Sequence, residues 1–323
     1  MNEDVIELME ETGKWRAREL RYVRGTWARV MAELPEFDLV PFRVGEGEPE
    51  NPFLRTVLRR PMTALERPIP VGTVSPNYGM ASHRVVAEKC LRGIVQAGVP
   101  AERLGFEVGL SELGEWMNLR IYFPGQFNGS FDDGHAMGLR LECFNSVEGS
   151  SRLMLLLGWL RFVCGNGMVI GETVVDLRTV HNGSIEDGLE SIPTLIQKGL
   201  LQVAKDRERM AAWEQQPLDW VRVDPWADEV VATAWNALSA SKVLHICRSG
   251  QDAEWATPFA KGKPSEKPMR PLEQVPGAAA KAANLYDASQ ALSWIATQRR
   301  DPEERVQWQK QIPSLVGKLE TKA

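Results

Sequence analysis

Met117-Asn-Leu-Arg-Ile-Tyr-Phe123 and Leu139-Arg-Leu-Glu-Cys-Phe144 decide the fold. Met117, Leu119, Ile121 and Phe123 alternate with Asn118, Arg120 and Tyr122. Leu139, Leu141 and Cys143 alternate with Arg140, Glu142 and Phe144. Successive side chains of a strand point to opposite faces, so a period of two over short runs predicts β-strands. Phe106, Val108 and Leu110 repeat the pattern. Pro124-Gly125, Asn128-Gly129 and Asp133-Gly134 separate the runs, as turns do between antiparallel strands. Residues 153–157 and 160–164 are apolar enough for strands buried on both faces, and the β-branched run within 169–180 predicts another.

Helical spacing surrounds this centre. Residues 2–34 read as helix with Gly25 as a weak point. Residues 41–73, rich in Pro, Gly and charge, read as loop with short strands. Ser82 is placed to cap a helix over 83–97 that Gly98 stops. A longer stripe covers 184–215, with Pro193 expected to kink it. Further amphipathic helices are expected over 228–241, 278–298 and 302–319, and residues 256–280 have the composition of a mobile loop or linker. The fold class is α+β: a central antiparallel β-sheet flanked by N-terminal and C-terminal helices. The divisions expected are an N-terminal helical or loop arm (1–65), an α+β core (66–255), the linker (256–280) and a C-terminal helical segment (281–323).

The chain has 323 residues, 43% hydrophobic and 25% charged, which is ordinary globular usage and excludes collagen, coiled coil and wholesale disorder. Its formal net charge of −5 argues against coating nucleic acid by bulk positive charge, so any basic face must be local. Cys90, Cys143, Cys164 and Cys247 are too scattered for a disulfide framework, and the four histidines are isolated, so no zinc spacing exists. The acidic N-terminus has no leader pattern, and the apolar stretch 153–170 is broken by Arg161, Asn166 and three glycines. A cytoplasmic protein without metal, cofactor or membrane contact is expected.

One basic segment stands apart. Residues 14–29 hold six basic residues against one acidic, interleaved with rings. Arg16, Arg18, Arg21, Arg24 and Arg29 are candidate phosphate contacts, and Trp15, Tyr22 and Trp27 candidate stacking rings, as single-strand binding requires. Arg55, Arg59 and Arg60 form a second basic cluster. The alternative is a solvated helix face with its aromatics in the core.

The polar turn 145–151 is the other candidate. Asn145, Ser146, Glu148 and Ser150, with Arg140, Arg152, Arg161 and Asn166 near in sequence, suit either an anion cradle or a plain tight turn. Asn166-Gly167 reads as a hairpin rather than a nucleotide loop, since no Lys follows and strand formers come next. Asp132, Asp133 and His135 read as a solvated turn before a metal site, Cys164 as structural before nucleophilic, and no catalytic set can be assembled. Eleven tryptophans, four of them Trp213, Trp220, Trp226 and Trp235, point to packing or a subunit interface.

These segments carry a resemblance. Pro70-Val-Gly-Thr-Val-Ser-Pro-Asn-Tyr78 resembles the gVSxxY element of the phage/plasmid-like family known as domain of unknown function 932. Phe144-Asn-Ser-Val-Glu-Gly-Ser-Ser151 resembles its nShDGS turn, and Leu160-Arg-Phe-Val-Cys-Gly-Asn-Gly167 its RvvCsNg strand and turn. Asn284-Leu-Tyr-Asp-Ala-Ser-Gln-Ala291 resembles its C-terminal NLYdaynA helix. The resemblance spans roughly residues 65–320. Val147-Glu148 replaces the family's His-Asp pair, and Arg178-Thr-Val-His181 departs from its Arg-His-Thr order. A histidine-dependent activity at the turn is therefore not expected.

The resemblance implies a protein of phages, plasmids and integrated elements, among genes of DNA maintenance and defence evasion, and brings no catalytic residues with it. Together with the basic segment it leads to the first expectation: a single-stranded DNA-binding protein with an annealing or recombination-accessory role, acting as a homo-oligomer. The second is a protein-binding inhibitor of a host defence or restriction system, with a host or element-encoded protein as partner. The third is a metal-dependent hydrolase or nuclease around Asp132, Asp133, His135 and Glu148.

Overall fold

A computed structural model describes residues 14–15, 18–45, 47–123, 129–130, 136–161, 168–170, 177–179, 185–255 and 269–320. β1 (Lys14–Trp15) and β2 (Arg18–Glu19) pair with each other, and β3 (Arg21–Gly25) leads into α1 (Trp27–Glu33). β4 (Phe37–Pro41), β5 (Arg55–Arg59) and β6 (Ile69–Val74) form a small antiparallel sheet. After α2 (His83–Gln96) come β7 (Gly105–Leu110), β8 (Trp116–Tyr122), β9 (Gly129–Ser130), β10 (Ala136–Ser146), β11 (Leu153–Arg161), β12 (Met168–Ile170) and β13 (Leu177–Thr179). The chain continues through α3 (Ile185–Glu214), α4 (Trp220–Pro225), α5 (Ala237–Ser249), the hairpin β14 (Gln251–Trp255) and β15 (Met269–Gln274), α6 (Leu285–Thr297) and α7 (Pro302–Gly317). The central sheet has the order β12-β11-β10-β8-β7-β3, antiparallel throughout, with β9 beside β10 and β13 beside β11. The α+β class stands.

The alternation explains the layers. Val108, Leu119, Leu141 and Leu155 share one face of the sheet and are all but fully buried. They belong to one core with Val86, Cys90 and Ile94 of α2 and Ile192 and Ile196 of α3. Each such side chain contributes roughly 1.5–3 kcal/mol by leaving water. The start of α2 is as the sequence dictates, with Ser82 Oγ accepting from the Val85 amide at 3.2 Å. The tryptophans pack as the sequence expects. Trp213 and Trp226 donate to Glu320 and to the Leu315 carbonyl, and Trp235 stacks 4.4 Å from Trp308.

The N-terminal expectation needs correction. Residues 21–25 are a strand, not helix, and helix is confined to Trp27–Glu33 among the described residues of this segment. Leu20 and Tyr22 alternate with Val23, which enters the main core while they pack on the opposite face. Burial on two faces at period two overrides helical spacing. Part of the expected arm therefore supplies the edge strand of the central sheet.

Smaller corrections follow the same logic. The helix expected over 228–241 is a π-helical turn, Trp226–Val231, and a short piece that ends at Trp235; Asn236 then caps α5, accepting from the Ser239 amide at 2.8 Å. The stripe over 184–215 is one helix, Ile185–Glu214, with Pro193 inside it, as the sequence predicts. β11 is one strand across Gly158, which pairs with Arg140. Met269–Gln274, expected within the linker, pairs with Gln251–Trp255; residues 256–268 lie outside the described ones. Residues 153–170 include two antiparallel strands, and no helix among the described residues is long and apolar enough to cross a membrane.

Candidate functional site

The second face of the central sheet carries charge. Register sets Arg24 of β3 opposite Glu107 of β7, Glu107 opposite Arg120 of β8, and Arg120 opposite Glu142 of β10. Four neighbouring strands thus present alternating charges in one row. Arg24 bonds Glu107, and Arg120 reaches Glu107 at 3.0 Å and Glu142 at 3.3 Å. Glu142 also takes Arg140 at 3.0 Å, Asn118 at 2.9 Å and, from α7, Arg305 at 3.3 Å. The Tyr122 hydroxyl donates to Glu107 at 3.0 Å. Rings lie against the guanidiniums: Tyr22 4.5 Å from Arg120, Phe144 5.0 Å from Arg305, Tyr122 5.9 Å from Arg140. A Cβ on Gly109 would stand 2.6 Å from the Tyr22 ring, so this close approach needs glycine.

Electrostatics follow from burial. Glu107 and Glu142 are 0% and 2% exposed. Burial pushes the Glu142 pKa up, but Arg140, Arg305 and Arg120 outweigh it and hold the carboxyl well below the usual range. Glu107 is likewise lowered, with Arg120 and Arg24 overcoming burial. Burial pushes Tyr122 up to about 12 and raises Tyr22 as well.

The basic segment is therefore divided. Tyr22 and Arg24 join the buried network. Trp27 packs 5.1 Å from Phe106, and Arg21 reaches Glu33 at 3.0 Å. Arg29 is exposed, its stem beside Gly25. Arg16 lies outside the described residues, and Trp15 and Arg18 are placed by backbone alone, paired in β1 and β2. Arg55, Arg59 and Arg60 sit apart on β5 and just after it. Arg55 donates to the Leu39 carbonyl, Arg59 to Glu66, and Arg60 to Asp38 and Glu36. Arg21 and Arg59 do share a cleft of about 460 Å³, but with Glu19, Glu33 and Glu112.

The polar turn meets the other quoted motif. Thr73–Ser75 and Tyr78 form one wall of a second cleft of about 460 Å³, and Glu148–Arg152 with Glu303 the other. The Tyr78 hydroxyl donates to the Val147 carbonyl at 2.9 Å. Gly149 turns at φ +80°, and a Cβ there would stand 2.9 Å from the Tyr78 ring. Glu148 accepts from Trp116 Nε1 and from the Ser150 amide and hydroxyl. Ser146 Oγ is tied to the Ser151 backbone, while Arg152 is exposed. Asn145 is buried, its amide nitrogen donating to the Ala81 carbonyl and to His83 Nδ1, both at 2.9 Å; His83 Nε2 donates to the Gly114 carbonyl. Arg161 is placed by backbone alone, and Asn166 lies outside the described residues. So do Asp132, Asp133, His135 and Cys164; among the described residues no group of three metal-ligating side chains occurs.

Sequence reasoning passed over Glu107, Arg120, Glu142 and Arg305. The signal was present for three of them, in the polar half of each alternating strand. Opposite charges on strands that pair antiparallel should be set facing each other.

The chain belongs to the family described as domain of unknown function (DUF932), whose model matches residues 70–300. Glu107, Arg120, Arg140 and Glu142 lie inside the matched stretch, and Arg24 and Arg305 flank it. No curated protein and no solved structure matches the chain.

Proposed function

We propose that this is a single-stranded DNA-binding protein of phage or plasmid DNA metabolism, cytoplasmic and homo-oligomeric, with an annealing or recombination-accessory role. One observation carries the reading. Edge strand β3 and the start of α1 expose Arg21 and Arg29 beside the row in which Arg24, Arg120, Arg140 and Arg305 are engaged by Glu107 and Glu142. Exposed guanidiniums along such an edge suit contacts to phosphates. Arg24 and Arg305, at 24% and 18% side-chain exposure, are the network members open to solvent, and Arg21 and Arg29 extend the basic character along the edge.

Fluorescence anisotropy with labelled single- and double-stranded oligonucleotides at two salt concentrations tests it. Single-strand binding that weakens with salt, with a slope of about two to four released counterions, is the expected result. Arg21→Glu with Arg29→Glu should weaken it at least tenfold, because neither side chain belongs to the buried network. Absence of binding at low salt overturns the reading.

A protein partner is the second reading. It is favoured by the loop between β4 and β5, where Val44 and Phe53 are 89% and 77% exposed. A pull-down from host lysate that yields a stoichiometric complex, lost in Phe53→Ser, supports it.

A further inference from the structure

Arg305 and Gln309 lie four residues apart, one above the other on the same face of α7. Arg305 spends one nitrogen on Glu142, and its Nε is buried without a partner. Gln309 is 1% exposed, and neither its amide nitrogen nor its oxygen is hydrogen-bonded. On the sheet below Arg305, the hydroxyl of Tyr22 is also buried and unbonded. Arg140 and Arg305 both depend on Glu142, which Arg120 uses as well.

Buried donors without acceptors are rare in native proteins, because water is lost and nothing replaces it. Here the unbonded donors are a guanidinium N–H, a carboxamide and a phenol, and two cations share one carboxylate with a third. The group that complements such a set is a small anion with several acceptor oxygens. We propose that a tetrahedral oxyanion of the phosphate or sulfate class binds between α7 and the central sheet, held by Arg305 and Gln309. Burial lowers the Arg305 pKa, and the charges of Arg120 and Arg140 add to this against the pull of Glu142; a bound anion relieves that repulsion. The inference does not depend on DNA binding at the sheet edge. The oxyanion is either a free ion or the phosphate of a nucleotide, and the two are separable.

The test is calorimetric titration and thermal unfolding of the full chain with inorganic phosphate, against chloride at equal ionic strength. A nucleoside 5′-monophosphate and the unphosphorylated nucleoside are run in parallel. Saturable 1:1 phosphate binding with a rising Tm is expected. A monophosphate that binds at least tenfold tighter than phosphate assigns the site to nucleotides; equal or weaker binding assigns it to the free ion.

Gln309→Leu is the informative variant. Exchanging an unbonded buried amide for an apolar group should leave the anion-free protein as stable as the wild type or more so. Phosphate affinity should fall at least tenfold, and Arg305→Met should do the same where it folds. No phosphate effect beyond chloride in the wild type overturns the proposal. So does an effect that Gln309→Leu retains in full, even if DNA binding is intact.

Discussion

Arg305 of α7 lies 3.3 Å from Glu142 on β10, 163 positions earlier in the chain. Glu142 is at once the partner of Arg120, Arg140 and Asn118. Its removal takes from Arg140 and Arg305 the carboxylate they share and leaves Arg120 with Glu107. Glu142→Leu is therefore expected to cost about 3–5 kcal/mol. Urea unfolding followed by far-ultraviolet circular dichroism measures this. A loss below about 1 kcal/mol shows that water reaches the row.

Acid stability follows from the same carboxyls. Glu107 and Glu142 have folded-state pKa values below their unfolded value of about 4.3. The unfolded chain thus binds more protons in that range. The stabilisation is complete above about pH 5 and drains as pH falls below the unfolded value toward the folded ones. Unfolding free energies from pH 7 to 3 should be level and then decline. A double Glu107→Gln, Glu142→Gln variant should show a shallower decline from a lower start.

The second cleft makes a local prediction. Tyr78→Phe removes the hydroxyl that donates to the Val147 carbonyl and should cost about 1 kcal/mol. Gly149→Ala should cost about 1–2 kcal/mol, from positive φ and the contact with the same ring. Phenylalanine keeps the ring carbon that the Gly149 Cβ would meet, so the two losses should be close to additive, and a double-mutant cycle reads any coupling through the ring. Burial also raises the Tyr78 pKa, with Glu148 adding to the effect, so a spectrophotometric alkaline titration should find its phenol late to ionise.

Asn236 separates α5 from the π-helical turn before it. Asn236→Ala removes the side chain that accepts from the Ser239 amide and should cost about 1 kcal/mol. Hydrogen exchange at the first turn of α5 should quicken. Unchanged protection would mean that packing alone starts the helix.

The sheet was legible because period two survives in Met117–Phe123 and Leu139–Phe144 without competition. The Ser82 cap and the polar turn were legible for a like reason: each is built from neighbours in sequence. The strand at Arg21–Gly25 was not. Its basic residues also fit helical spacing, and only burial on two sides separates the readings. The charged row escaped because a polar half-strand ordinarily faces water. Its pairing emerges only when Arg24, from the edge, and Arg305, from the far end, are brought to it. Gln309 carries no sequence signal of any kind; an amide on a helix is unremarkable until its surroundings are dry.

The reach of Arg305 also bears on how the molecule comes into being. A ribosome delivers Glu107, Arg120, Arg140 and Glu142 long before residue 305 emerges, so the nascent sheet waits with its ionic side uncovered. Closure over so wide a separation is slow compared with hairpin formation. A chain arrested between β13 and α7 should persist as a partly assembled, chaperone-dependent species, its last step the docking of one helix.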